Sequence, residues 1–432
     1  MTTIPVFSPL PVSVQQCTAC GGTLDERDAR TACPSCGGLL EILHPRPLAS
    51  PEALRAAYGE ACCQRPRAMA SGVWRFADLV MPSAGEAVVS HPEGNTPLLM
   101  RAALDEYTGC RALRVKHEGH NPTGSFKDRG MTVAVTQAKR TGARAVACAS
   151  TGNTSASLAA YAAQAGLTAL VLVPAGQVAA GKMAQSIGYG ARTLVVQGDF
   201  DDCLRLVREA SDELGVYLCN SLNPWRVEGQ KTTVLELIAQ LGWDAPEWIV
   251  LPAGNLGNTS AYGKALREAH ALGLIARVPR VVAVQAAGAA PFARGFAEGF
   301  VTRHRLRAET VATAIRIGDP ASWDRAVRTL RETDGIALAV TDEEILEAKA
   351  VIDAAGVGCE PASAASVAGV RALVESGVIA EGERVVAVLT GHMLKDPGLV
   401  VRYHVETHPA PARANPPIEI DATIDALARV LG

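Results

Sequence analysis

A lysine at the mouth of a helix, a hydroxyl-rich loop and a glycine–asparagine loop are the features of this chain best suited to chemistry. The lysine is Lys127 in NPTGSFKDRG (residues 121–130), where the apolar run ALRVKHE passes through a Pro/Gly turn into a helical pattern. A cation at a helix N-terminus opposes the macrodipole by ~0.3–1 kcal/mol, whereas a neutral amine, or an imine made with an aldehyde, suffers less. The position suits a lysine used as a nucleophile, although a solvated first-turn lysine fits the same spacing. The second feature is STGNTS (residues 150–155), where a strand ends and Ser150, Thr151, Gly152, Asn153, Thr154 and Ser155 lead into the next helix. Backbone N–H groups and hydroxyls gathered there form an anion pocket or, more simply, a helix cap. In the third, Gly254, Asn255, Leu256, Gly257 and Asn258 follow another strand, and the two glycines let backbone approach a phosphate closely. This loop is neither GxGxxG nor Walker A, which argues against a nucleotide site. A fourth junction, AVLTGHMLKDP (residues 387–397), again turns from a strand into polar residues. Four such junctions at strand carboxyl ends are what ligand binding by an open parallel sheet requires.

A separate chemistry is written in Cys17, Cys20, Cys33 and Cys36, arranged as CTACGG and CPSCGG. Two CxxC-Gly-Gly knuckles in tandem suit a tetrahedral Zn2+ with every ligand position filled, hence a structural ion. A redox CxxC is the rival, but no thioredoxin-like βαβ pattern surrounds the pairs. The adjacent Cys62 and Cys63 read as ordinary thiols.

The elements that must position these groups alternate along the chain. ALRVKHE, ARAVACAS, LTALVLVP, ARTLVVQG, EWIVLPAG, RVVAVQAA and RVVAVLTGH are short apolar runs bounded by Gly, Pro or polar residues. Between the earlier ones lie the helical patterns RGMTVAVTQAKRTG, TSASLAAYAAQAG and DFDDCLRLVREASDELG, and IEIDATIDALARVLG reads as a terminal helix. Such alternation predicts an α/β fold of right-handed βαβ units, with mostly parallel sheets flanked by helices. With 432 residues, 48% hydrophobic content and a formal net charge of −3, the chain can bury a large core and has no basic excess to attract nucleic acid. No apolar run approaches the ~20 residues of a membrane span, and no signal-peptide pattern opens the chain. Cysteines scattered through apolar segments point to reduced thiols and a cytoplasmic setting.

TGSFKDRG, STGNTS, GNLGN, EPASAAS (residues 360–366) and LTGHMLKDP occur here in the order found in the threonine synthases, which the chain resembles from about His91 to Pro397. That resemblance implies a fold-type-II pyridoxal-phosphate enzyme with two lobes. Residues 1–45 would form a zinc-ribbon-like segment, as in some threonine synthases, and residues 46–432 the catalytic region. A smaller lobe would be inserted at about 120–228. Lys127 would carry pyridoxal 5'-phosphate as a Schiff base, with Phe126 beside the ring and Asn153 on its phenolic oxygen. Gly254, Asn255, Leu256, Gly257 and Asn258 would hold the cofactor phosphate, and Thr390 would meet the pyridine nitrogen. CNSLNPWRVEGQKT (residues 219–232) is similar to the stretch that grips the substrate's phosphate, here through Asn220, Ser221 and Arg226, helped by Ser150 and Thr154. The implied reaction converts O-phospho-L-homoserine and water into L-threonine and phosphate, in a homodimer. Met393 departs from the pattern, because glycine commonly follows TGH; a methionine there is expected to narrow the pocket. Alternative readings are a cysteate-synthase-like enzyme using phosphoserine, a serine/threonine dehydratase, and a non-catalytic regulator that binds through the ribbon.

Overall fold

Runs of Val, Leu, Ile and Ala, too short for helices and closed off by turn residues, become the strands of two parallel sheets. The protein is described here from a computed structural model covering residues 5–59, 67–150, 152–176 and 180–431; Thr151, Cys62 and Cys63 lie outside the described residues. An antiparallel sheet comes first, from β1 (Val14–Cys17), β2 (Thr23–Asp25) and β3 (Leu40–Leu43), in the order β2-β1-β3 with Cys17 opposite Leu40. After β4 (Leu98–Leu99) and β5 (Leu113–His117), the chain builds β6 (Ala145–Ala149), β7 (Thr168–Pro174), β8 (Arg192–Val196) and β9 (Val216–Leu218). These four make a parallel sheet of order β8-β7-β6-β9. The chain then returns with β10 (Trp248–Pro252), β11 (Arg280–Ala286), β12 (Ile336–Val340) and β13 (Val385–Leu389). They join β5 and β4 in a second sheet of order β12-β11-β10-β13-β5-β4, in which only the β4–β5 pair is antiparallel.

This topology does the positioning. The last strand, β13, slots between β10 and β5, so three strand ends far apart in sequence lie side by side. Those ends carry GNLGN, LTGHMLKDP and the turn leading to Lys127. STGNTS follows β6 in the other sheet.

All seven expected runs are strands; β1, β2 and β3 lie in the N-terminal segment, where no strand was assigned, and of the later strands β4, β9 and β12 went unread. Of these three, the first two have only two and three residues. The third, IALAV, is a partly exposed edge strand whose alanines carry little β signal. Asp396 opens a second compact unit, which contains the chain's last helix, Ile424–Leu431. The expected terminal helix begins later than residue 418, because Thr423 Oγ1 accepts from Ala426 N (3.1 Å) and caps it there. Among the described residues, no helix is long and apolar enough to cross a membrane.

The helix bearing Lys127 (Lys127–Arg140) crosses the helix bearing Arg226 (Pro224–Gln230) at two glycines. A Cβ on Gly229 would lie 1.7 Å from Arg129 O, and one on Gly130 would lie 2.9 Å from Arg226 O. Backbone meets backbone there, so no side chain can yield to make room. Gly229→Ala is expected to lower the thermal midpoint by the equivalent of about 3 kcal/mol or more and to separate the two helices. Thermal unfolding and activity of the variant check this; a midpoint within two degrees of the parent would contradict it.

Candidate active site

Lys127 is the first residue of its helix, held there by a staple on its neighbour. Asp128 accepts from Thr123 N (2.7 Å) and Thr123 Oγ1 (2.6 Å), which ties the Pro/Gly turn to the helix start. The same carboxylate accepts from Ser157 Oγ (2.6 Å) in the helix Asn153–Ala165, joining the first and second junctions. Lys127 Nζ lies 4.2 Å from the centre of the Phe126 ring. Burial, reinforced by the positive charge of Arg226 and opposed by Glu360, holds the Lys127 ammonium down to about 7. The amine is therefore substantially neutral near pH 7, as a nucleophile or proton acceptor requires.

Asn153 and Thr390 come together on a residue to which the sequence reading assigned no role. Glu360 accepts from Asn153 Nδ2 (2.8 Å) and from Thr390 Oγ1 (3.1 Å), and its own N–H donates to Gly391 O (3.0 Å). Its carboxyl is pushed up by burial, against the pull of these hydrogen bonds and of Lys395 and Lys127. Thr390 Oγ1 also sits 2.9 Å from Ser363 Oγ, and Thr390 O accepts from Phe126 N (3.0 Å). The polar face beside Lys127 is thus one connected network. EPASAAS was legible as a motif, but a glutamate ahead of Pro361 reads as an ordinary helix start. Its role appears only once β13 brings Thr390 beside it.

The positive charge felt at Lys127 belongs to Arg226, whose environment is unusual. The side chain is 1% exposed, yet only Nη1 is satisfied by a hydrogen bond, to Cys219 O at 3.2 Å. Nε and Nη2 are buried with no hydrogen-bond partner among the described residues. Burial pulls its pKa down, and the groups that oppose this are the thiols of Cys219 and Cys148 rather than a carboxylate. A buried guanidinium without a counter-ion costs several kcal/mol, and a bound anion removes that penalty.

The remaining expected residues are tied into the fold in different ways. Asn220 exchanges hydrogen bonds with Ala149 N and O (3.1 Å each), fixing the end of β6 to the loop after β9. Ser221 Oγ accepts from Asn255 Nδ2 (2.6 Å), and Asn255 Oδ1 accepts from Ala321 N (2.6 Å). The loop after β9 and the GNLGN loop therefore touch. Leu256 takes a left-handed φ of 62°, a conformation recurrent in anion-binding nests of backbone N–H groups, and opens the helix Gly257–Ala271. Asn258 Oδ1 is buried without a hydrogen-bond partner among the described residues. Ser150 Oγ accepts from Gly152 N (3.2 Å) within the loop, without capping the helix, and among the described residues no hydrogen bond connects Ser150 or Thr154 to Arg226. Met393 packs against Gly358, whose missing Cβ leaves it room.

The four cysteines form a second site. Their Sγ atoms all lie within 4.8 Å of one another, with Cys17–Cys36 at 3.5 Å and Cys20–Cys33 at 3.7 Å. Four thiolates at the Zn–S distance of about 2.3 Å span tetrahedral edges of about 3.8 Å, so the cage fits that ion. Ala19 N donates to Cys17 Sγ (3.4 Å), and backbone N–H groups, first that of Ser35, draw the Cys33 thiol down to about 6. A Cβ on Gly38 would come within 2.8 Å of Cys17 Sγ, which is why glycine follows the second knuckle.

Residues 89–391 match the family described as pyridoxal-phosphate dependent enzyme. The threonine synthase of Methanocaldococcus jannaschii is 43% identical over 426 residues, covering 97% of this chain and 99% of that protein. The threonine synthase of Mycobacterium leprae is 52% identical over 324 residues, 74% of this chain and 88% of its own length. Among solved structures, threonine synthase from Escherichia coli shares the fold, with a TM-score of 0.71 at 21% identity over 97% of this chain and 99% of that one.

Proposed function

We propose, for a chain that belongs to the pyridoxal-phosphate dependent enzymes and within them to the threonine synthases, that it converts O-phospho-L-homoserine and water into L-threonine and phosphate. The observation that carries the substrate class is Arg226, a buried cation with no counter-ion among the described residues, whose charge is felt at Lys127. A phosphate dianion supplies the missing charge, and the planar guanidinium offers Nε and Nη2 as parallel donors.

Residues 46–432 form the catalytic region in this reading, with the smaller lobe at about 120–228, and residues 1–45 a ribbon around structural zinc. Lys127, Phe126, Asn153, Thr390 and the Gly254–Asn258 loop would hold pyridoxal phosphate. The left-handed Leu256, at the start of the helix Gly257–Ala271, suits that loop to an anion. When bound, the cofactor supplies an aldehyde for amines and a conjugated ring that accepts electrons from Cα.

The protein's own groups do the rest. Lys127 Nζ, poised between its two protonation states, takes the proton from Cα and relays the later proton transfers at Cβ and Cγ. Arg226, with Asn220, Ser221, Ser150 and Thr154, holds the phosphate before and after it leaves Cγ. Water then adds at Cβ, and the retained phosphate is placed to accept its proton. Glu360 keeps Asn153 and Thr390 in register beside Lys127. The enzyme is read as a cytoplasmic homodimer, which sedimentation checks for its oligomeric part.

The deciding experiment is phosphate release from phosphohomoserine, with threonine identified as product and phosphoserine run beside it. Turnover of phosphoserine alone would overturn the substrate assignment. Capture of pyridoxal phosphate by the apoprotein is expected to accelerate about tenfold per pH unit below 7 and to level off above about 7. Only the neutral amine attacks an aldehyde, so protonation at lower pH removes the nucleophile. Stopped-flow absorbance measures this; a rate still climbing to pH 10 would mean an ordinary lysine. One zinc per chain is expected by elemental analysis and is lost in Cys20→Ser, whereas an unaltered zinc content would reject the cage.

A further inference from the structure

The N-terminal segment reaches the substrate-phosphate arginine through a buried histidine. His44 directly follows β3, whose first residue pairs with Cys17, so it is fastened to the cysteine cage by the strand register. β3 packs against the Arg226 helix. His44 is 1% exposed, with Nδ1 at 2.9 Å from Ser13 Oγ and Nε2 at 3.0 Å from Glu228 Oε2. With the serine hydroxyl donating to Nδ1, the neutral ring donates from Nε2 to Glu228. Its ring also lies against Trp225, with centroids 6.1 Å apart. Trp225 and Glu228 flank Arg226 on a helix of only seven residues.

Glu228 is a hub rather than a lone partner. It also accepts from Lys231 Nζ (2.6 Å) and Lys264 Nζ (2.7 Å), and both lysines pair with Glu268 (2.7 and 2.9 Å). The two carboxylates and two ammoniums balance, so the neutral imidazole adds no charge that the others need. Its contribution is a directional tie between the N-terminal segment and the short helix. A seven-residue helix has little rigidity of its own and takes its orientation from such ties.

We propose that His44 is a positioning residue for the substrate phosphate, fixing through Glu228 and Trp225 the helix that aims Arg226. This rests on the reading of Arg226 as the phosphate ligand, and Arg226→Ala is therefore run alongside.

The test uses the full-length holoenzyme and two ligands, phosphohomoserine for kinetics and inorganic phosphate for direct titration. His44→Phe keeps a ring against Trp225 but removes both nitrogens. It is expected to raise KM and the phosphate Kd together by about fivefold, with kcat within about twofold of the parent. His44→Gln, which restores an N–H donor, is expected to recover most of the affinity. An unchanged phosphate Kd in folded His44→Phe overturns the inference, and so does a fall in kcat with affinity intact. If His44→Phe does not fold, His44→Leu, which also removes both nitrogens and leaves the Glu228 ion pairs in place, is used with the same expected and overturning results. Loss of phosphate affinity in Arg226→Ala but not in the His44 variants would reject this inference alone. No loss in Arg226→Ala would reject the phosphate-ligand reading itself.

Discussion

Lys127→Ala is expected to reduce turnover by about 10³-fold or more and to abolish covalent retention of the cofactor. Borohydride treatment of the native protein should fix the cofactor to the peptide containing Lys127 and should fix nothing in the variant. The effect on stability runs the other way. Lys127 is held in a site that disfavours its ammonium through burial and the nearby Arg226 charge, so its removal relieves strain. The variant's thermal midpoint, measured without cofactor, is expected to equal or exceed the parent's. A variant retaining a tenth of the parent's turnover would remove Lys127 from the chemistry.

Arg226→Ala is expected to lower kcat/KM for phosphohomoserine by about 10²-fold or more. Two charge-assisted hydrogen bonds of about 1.5–3 kcal/mol each are lost, and about 1.4 kcal/mol corresponds to tenfold. Inorganic phosphate supplies an independent readout, since an anion that binds only the folded protein raises its thermal midpoint in a concentration-dependent way. That rise is expected in the parent and absent in Arg226→Ala. In phosphate-free buffer the variant is expected to be no less stable than the parent, because it lacks a buried guanidinium that has no counter-ion among the described residues. Arg226→Lys should recover little, since an ammonium cannot present two parallel donors. A phosphate-dependent shift that persists in Arg226→Ala would place the substrate phosphate elsewhere.

Much of the site was legible because its chemistry is local. A lysine opening a helix after a Pro/Gly turn, a polar loop after a strand and two CxxC-Gly-Gly knuckles each depend on residues a few positions apart. Glu360, Asp128 and Glu228 were not legible. Each owes its role to partners from distant parts of the chain or from another element: Asn153 and Thr390 for Glu360, Ser157 for Asp128, and His44 and Lys264 for Glu228. A carboxylate in a sequence carries no mark of whether it will be buried, nor among what.

By itself, the sequence determined the strand and helix periodicity of the α/β layers, the paired CxxC spacing of the cysteines and the placement of polar loops at strand ends. These follow from short-range backbone geometry and side-chain chemistry, which the order of residues encodes directly. Only the tertiary structure decided that β13 lies between β5 and β10, that Gly130 and Gly229 let two helices touch, and that Arg226 is buried with no counter-ion among the described residues. Packing made those choices, because burial and electrostatic environment are set by neighbours that the chain supplies from far away.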